Sequence, residues 1–189
     1  MQRCKVFIDG SWLWHSMMSY NSDHSHRYNI GALPSHLVAA LGENHTYVGT
    51  ILCASIPKNV DPQDLPQVDK RFKFFKLLKD KYNFELDLYE IDFQGRRLRK
   101  QDRYFSDYWV PKEKCVDIAT ISKLFYHQGS YECAIVVTGD RDFIPAFKTL
   151  LLMGKTVYIG SFRATCSTEL STTFKTIWLN DILPNLILS

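Results

Sequence analysis

Residues 131–143, YECAIVVTGDRDF, constrain this chain more than any other stretch. Ala134 to Val137 is an unbroken run of small apolar and β-branched residues. Such a run reads as a strand buried on both faces, which is the habit of parallel sheets covered by helices. It ends in Thr138-Gly139, followed by Asp140 and Asp142, and then by a segment with helical apolar periodicity. Open α/β sheets place their ligand sites at the carboxyl ends of strands, where both aspartates would fall. Two carboxylates side by side repel each other unless a proton or a cation lies between them. For oxygen donors the expected cation is Mg²⁺ or Mn²⁺.

The remaining chain alternates strand and helix patterns. Residues 5–8 predict a first strand ending at Asp9-Gly10, and Ser11 is placed to cap a short helix running towards Tyr20. A polar, His-containing loop over 21–31 is followed by a helix opened by Pro34. Strands are predicted over 47–55, 84–91, 155–160 and 175–179, and helices over 68–82, 112–127, 144–153 and 168–174. Residues 59–67, with two prolines, read as a loop, and Gly154 as a helix terminator. This alternation predicts an α/β/α sandwich around a mostly parallel sheet with right-handed crossovers.

At 189 residues and 46% hydrophobic, the chain is long enough for a single domain over 1–189 with a sizeable core. The net charge of +3 permits an anionic partner without requiring one. Five dispersed cysteines with no CxxC pair predict reduced thiols and a cytoplasmic protein. Cys4, Cys53 and Cys133 fall in or beside strands and read as core residues. No stretch is apolar enough to span a membrane, and the amino terminus enters a strand at once, leaving no room for a signal peptide. His24 and His26 lie in a polar loop without cysteines nearby, so ordinary loop histidines explain them.

Two further acids give the aspartate pair its context. Asp9 closes the first strand, and in a doubly wound sheet the first and fourth strands are commonly neighbours at the switch point. Asp117 interrupts the apolar residues Val116 and Ile118 near the start of the preceding helix. Singly, each acid has a plain explanation: Asp117 as a helix-dipole partner, Asp142 as an N-cap, Asp9 as a turn residue. Together they predict a cluster of four carboxylates.

Four segments resemble the NYN domains of the PIN-like nuclease superfamily, in particular the LabA-like branch. They are VFIDGSWLWHS over 6–16, KEKCVDIATISKLF over 112–125, VVTGDRDFIPAFKTLLLMGKTVYIG over 136–160 and CSTEL over 166–170. The resemblance implies a PIN-like fold with strand order 3-2-1-4-5. It also implies metal-dependent endoribonuclease chemistry with Asp9, Asp117, Asp140 and Asp142 as the catalytic and metal-binding cluster. One position departs from the family pattern: Trp12 stands where an Asn usually follows the first-strand Asp-Gly.

On this reading one or two Mg²⁺ or Mn²⁺ ions would activate water and stabilise charge on a scissile phosphate. Gly10, Ser11, Thr138, Lys114 and Arg163 are candidate phosphate contacts, and Trp12 could stack on a base. Arg96, Arg97, Arg99, Lys100 and Arg103, followed by Tyr104, Tyr108 and Trp109, form a basic-aromatic insertion at about 93–111, read as a hairpin or extended loop. Cations along a backbone with aromatic faces for bases suit single-stranded RNA. A solvated hairpin with aromatic feet in the core, or the edge of a homodimer, would use the same residues. Two other readings stand beside the nuclease. A non-catalytic RNA- or nucleotide-binding module would keep the acidic pocket, and Trp12 favours it. A dehalogenase-type phosphatase is disfavoured because Ser11 stands where a second aspartate is needed.

Overall fold

A computed structural model of the chain describes residues 1–104 and 115–188. Its centre is a six-stranded sheet in which every neighbouring pair is parallel, in the order β3-β2-β1-β4-β5-β6. The strands are β1 (Gln2–Asp9), β2 (His45–Lys58), β3 (Phe84–Asp92), β4 (Cys133–Val137), β5 (Thr156–Ser161) and β6 (Lys175–Trp178). The expected order 3-2-1-4-5 is present, with β6 added at the edge. All five residues of β4 are buried, as its apolar run requires.

Helices cover both faces. On one lie α1 (Gly10–Tyr20), α2 (Leu33–Ala39), α3 (Leu65–Tyr82) and α7 (Leu179–Ile182), which contribute Leu13, Leu37, Phe75 and Leu179 to one apolar cluster with Val6, Ile8 and Ile135. On the other lie α4 (Val116–Tyr126), α5 (Ile144–Leu152) and α6 (Thr168–Thr173), which contribute Ala119, Phe147 and Leu170 to a second cluster with Phe7, Ile51 and Val136. Alternate residues of each strand feed alternate clusters, the period-two pattern of a sheet buried on both sides. Among the described residues no helix is long and apolar enough to cross a membrane, and all five cysteines are free thiols.

Several local expectations are corrected. Asp9, not Ser11, caps α1: its carboxylate accepts from the amides of Ser11 and Trp12. β2 runs through Pro57 to Lys58 rather than stopping at Ser55. Beyond Cys53 it has no β1 residue beside it and pairs with β3 alone, so a proline without an N–H is tolerated. Residues 93–104 hold turns and a short 3₁₀ segment, Lys100–Asp102, and no strand; the rest of the predicted hairpin lies outside the described residues. The helix predicted from Lys112 begins, among the described residues, at Val116.

Candidate functional site

The chain order of the strands places the switch point between β1 and β4. The last register pair of that ladder is Ile8 with Val137, so Asp9 and Thr138 stand side by side one residue further on. On β5, Gly160 pairs with Val137, which puts Ser161 beside Thr138. These three polar side chains form a row across three strands at the carboxyl edge, on the face that carries α4 and α5. All are buried: Asp9 is 5% exposed, and Thr138 and Ser161 are 0% exposed. Burying polar groups in this way is costly unless partners are supplied.

Two of the three have visible partners. One carboxylate oxygen of Asp9 accepts from the amides of Ser11 at 3.1 Å and Trp12 at 3.0 Å. Thr138 Oγ1 accepts from the Asp140 amide at 3.2 Å. Asp140 in turn caps the next turn, accepting from the Asp142 amide at 2.9 Å. Ser161 Oγ, in contrast, is buried with no hydrogen-bond partner. Asp140, Arg141 and Asp142 are exposed just above this row.

Gly10 is dictated by packing. A Cβ there would lie 2.7 Å from the Cys53 carbonyl oxygen and 2.9 Å from Ala54 Cβ, so α1 can leave β1 this closely over β2 only without a side chain. Asp117 sits in the first turn of α4, and that helix packs Val116 and Ala119 into the cluster containing Phe7 and Val136. Thr120, one turn on, donates to the Val116 carbonyl at 2.8 Å. Beneath it Cys53 lies between Asp9 and Asp87 in register. Burial pushes its thiol up to about 11, an inert hydrophobe in effect.

The donor set of Asp9, Asp117, Asp140 and Asp142 is all hard oxygen, which suits Mg²⁺ or Mn²⁺. Among the described residues, however, no three acidic side chains bring their oxygens within 4.8 Å of one another. An ion here would therefore be held partly through water, a habit of Mg²⁺, and the buried Ser161 hydroxyl has hydrogen-bonding capacity left unused.

The other predicted contacts are dispersed. β2 and β3 continue together to Lys58 and Asp92, five residues past the level of Asp9, or roughly 16 Å. The basic segment sits at the tip of this ribbon. Arg97 lies 3.1 Å from the fully buried carboxylate of Asp64, which also accepts from the Leu98 amide at 2.8 Å. Arg96 donates to Gln94 at 2.6 Å, Arg99 pairs with Asp102, and Arg103 donates to the Arg97 carbonyl at 2.9 Å. Lys100 and Tyr104 are exposed. Arg163 follows β5 but is engaged by Asp181 at 2.9 and 2.7 Å, and its guanidinium lies over Trp178. Lys114, Tyr108 and Trp109 lie outside the described residues.

Trp12 is a packing residue. Its ring is 6.1 Å from that of Phe162, and it lies so close over Gly139 that a Cβ there would come within 2.7 Å of the indole. Sequence reasoning missed three positions. Arg141 is an exposed cation between the two aspartates, visible in the motif itself. Ser161 has no local signal beyond ending a strand. Lys123 pairs with Asp87 at 3.3 Å and Glu85 at 3.5 Å, fixing α4 over β3. Burial alone would lower its ammonium, but the two carboxylates outweigh that and hold it above its ordinary value.

No protein-family model and no curated protein matches the sequence. A solved structure does. It is a protein of unknown function from Vibrio parahaemolyticus, 14% identical, with a TM-score of 0.63 over 99% of this chain and 96% of that one. At that identity the likeness concerns the fold, and it extends over the whole α/β architecture.

Proposed function

We propose that this chain is a metal-dependent endoribonuclease acting on single-stranded RNA, an NYN-type member of the PIN-like nucleases. The observation that carries the reading is the buried polar row of Asp9, Thr138 and Ser161 at the switch point, with Asp140 and Asp142 exposed directly above it. Polar groups buried at the carboxyl edge of a parallel sheet, one of them without a partner, support a ligand site there. The motif resemblance supplies the class of ligand.

Bound Mg²⁺ or Mn²⁺ would acidify a water and neutralise charge on a phosphodiester. The chain's own groups have separable tasks. Asp9 and Asp140 hold the ion, each kept in place by the amides it caps. Asp117 and Asp142 complete the negative field from the helix and the turn. Thr138 orients the Asp140 amide, Ser161 is available to hydrogen-bond a water or a phosphate oxygen, and Arg141 faces the incoming backbone charge. Lys100 and Tyr104 on the projecting ribbon offer a charge and an aromatic face to the strand beyond the cut.

The test is cleavage of a labelled single-stranded RNA with Mn²⁺, with Asp140→Asn alongside. The reading requires chelator-sensitive cleavage that the variant loses. Trp12 favours a second reading, a module that binds RNA without cutting it. Its indole is packed between Gly139 and Phe162, in the place where the family's amide would otherwise reach the site. Equal, background-level cleavage by both proteins with RNA affinity intact would decide for that alternative.

A further inference from the structure

At the opposite edge of the sheet three potential metal ligands converge. Cys4 on β1 and Cys133 on β4 are register partners, and His45 opens β2 beside them. The two sulfurs and a ring nitrogen of His45 all lie within 4.8 Å of one another. Both cysteines are 0% exposed. His45 is half-buried, its ring set edge-on to Tyr158 at 6.1 Å, and its Nδ1 is buried with no hydrogen-bond partner. An imidazole nitrogen oriented into protein without a partner is a ligand-seeking group.

We propose that Cys4, His45 and Cys133 form a zinc site, separate from the acidic edge. Sulfur and nitrogen donors exclude Mg²⁺, Mn²⁺ and Ca²⁺ and select zinc or monovalent copper. Donors around one tetrahedral zinc stand roughly 3.4–3.8 Å apart, inside the observed spread. Charge decides between the two metals. Two thiolates and a neutral imidazole make an electrically neutral site with Zn²⁺ but leave a buried negative charge with Cu⁺, and buried net charge is costly. On binding, two thiol protons leave to solvent as two sulfur–zinc bonds form, and the His45 nitrogen donates its lone pair. Three protein donors would leave the fourth position of a tetrahedral zinc to water or an outside ligand.

The experiment is metal uptake by the full chain, stripped with chelator and kept reduced with a non-chelating phosphine. The expected result is one equivalent of Zn²⁺ bound with proton release. Co²⁺ in its place should give a thiolate-to-metal charge-transfer band. Cys4→Ser should abolish the band. Because a core cysteine variant can fail to fold, His45→Gln, at a half-exposed position, is measured beside it with circular dichroism as the folding control. It should lower zinc affinity at least tenfold. No stoichiometric uptake by folded wild type, uptake indifferent to both His45→Gln and Cys4→Ser, or uptake of Cu⁺ with exclusion of Zn²⁺ would each overturn the proposal.

Discussion

The indole of Trp12 roofs Gly139. A Cβ on Gly139 would sit 2.7 Å from Trp12 Cζ2 and 2.4 Å from the Thr165 carbonyl oxygen. The glycine of the Thr-Gly-Asp motif is therefore a packing requirement, fixing α1 and the loop after β5 against the end of β4. Gly139→Ala should lower stability by about 2–3 kcal/mol through overpacking. Trp12→Asn, which removes a ring packed on Phe162, should cost about 3 kcal/mol. Because the two residues touch, their effects should fall short of additive by more than about 0.5 kcal/mol in a double-mutant cycle by urea denaturation. Full additivity would mean that the contact carries no energy.

The basic ribbon tip is held from inside. Asp64 is fully buried and binds both Arg97 and the Leu98 amide. Asp64→Ala leaves the Leu98 amide without its acceptor, while Arg97, about a quarter exposed, keeps its bond to Gln63. The expected loss is about 2 kcal/mol, at the low end for a buried pair because Arg97 keeps some water. Trypsin should then cut after Arg96, Arg97 and Arg99 well before the remainder of the fold, and equal cleavage rates in both proteins would show that Asp64 does not organise the segment.

The sheet and the acidic edge were legible because each rests on a local pattern. Apolar runs ending in Asp9 and in Asp140 mark strands and their carboxyl ends, and the switch-point rule makes them neighbours. What escaped depends on partners distant in the chain. Arg163 looks like a phosphate contact until Asp181, eighteen residues later on α7, engages it. Ser161 resembles any strand residue until β4 places Thr138 beside it. Cys4 and Cys133 read as ordinary core residues and His45 carries no local signal, and only the β1–β4 register and the start of β2 bring them together. Ser11 is a good cap by residue type, but the helix starts two residues earlier, where the Asp9 carboxylate accepts from the Ser11 and Trp12 amides.

Acid stability should report on one pair. Glu132 accepts from the Arg3 amide at 2.8 Å and from its guanidinium, tying β1 to β4, and this holds its carboxyl down at about 2. A depressed carboxylate stabilises the fold above its unfolded value near 4.5, and that contribution is lost as pH falls towards about 2. Glu132→Gln should flatten the fall in melting temperature over this window while leaving the curve above pH 6 parallel to wild type. An unchanged acid limb would place the acid sensitivity elsewhere.

Capping and metal binding by Asp9 can be separated. Asn caps helices as well as Asp does, so Asp9→Asn should hold stability within about 0.5 kcal/mol, while Asp9→Ala should cost about 1–2 kcal/mol. Removing the charge should weaken Mn²⁺ binding in both, as read from the free-ion paramagnetic resonance signal. Wild-type Mn²⁺ affinity in Asp9→Asn would exclude this carboxylate from the ion's shell.

Ser161 offers the sharpest contrast between fold and function. Its hydroxyl is buried without a partner, a desolvation cost of roughly 1–3 kcal/mol in the absence of ligand. Ser161→Ala removes that cost along with one oxygen, in a site whose neighbours on β4 and β6 stay in place. The variant should therefore be as stable as wild type or more so, by up to about 1 kcal/mol. If the hydroxyl meets a water or phosphate oxygen at the carboxyl edge, RNA cleavage should fall several-fold in the same protein, and RNA affinity should fall with it if the contact already exists in the ground state. Stability that drops by more than about 1 kcal/mol would mean that the hydroxyl has a structural partner, such as a fixed water. Unchanged cleavage with raised stability would mean that the buried hydroxyl belongs to the packing of β5 alone.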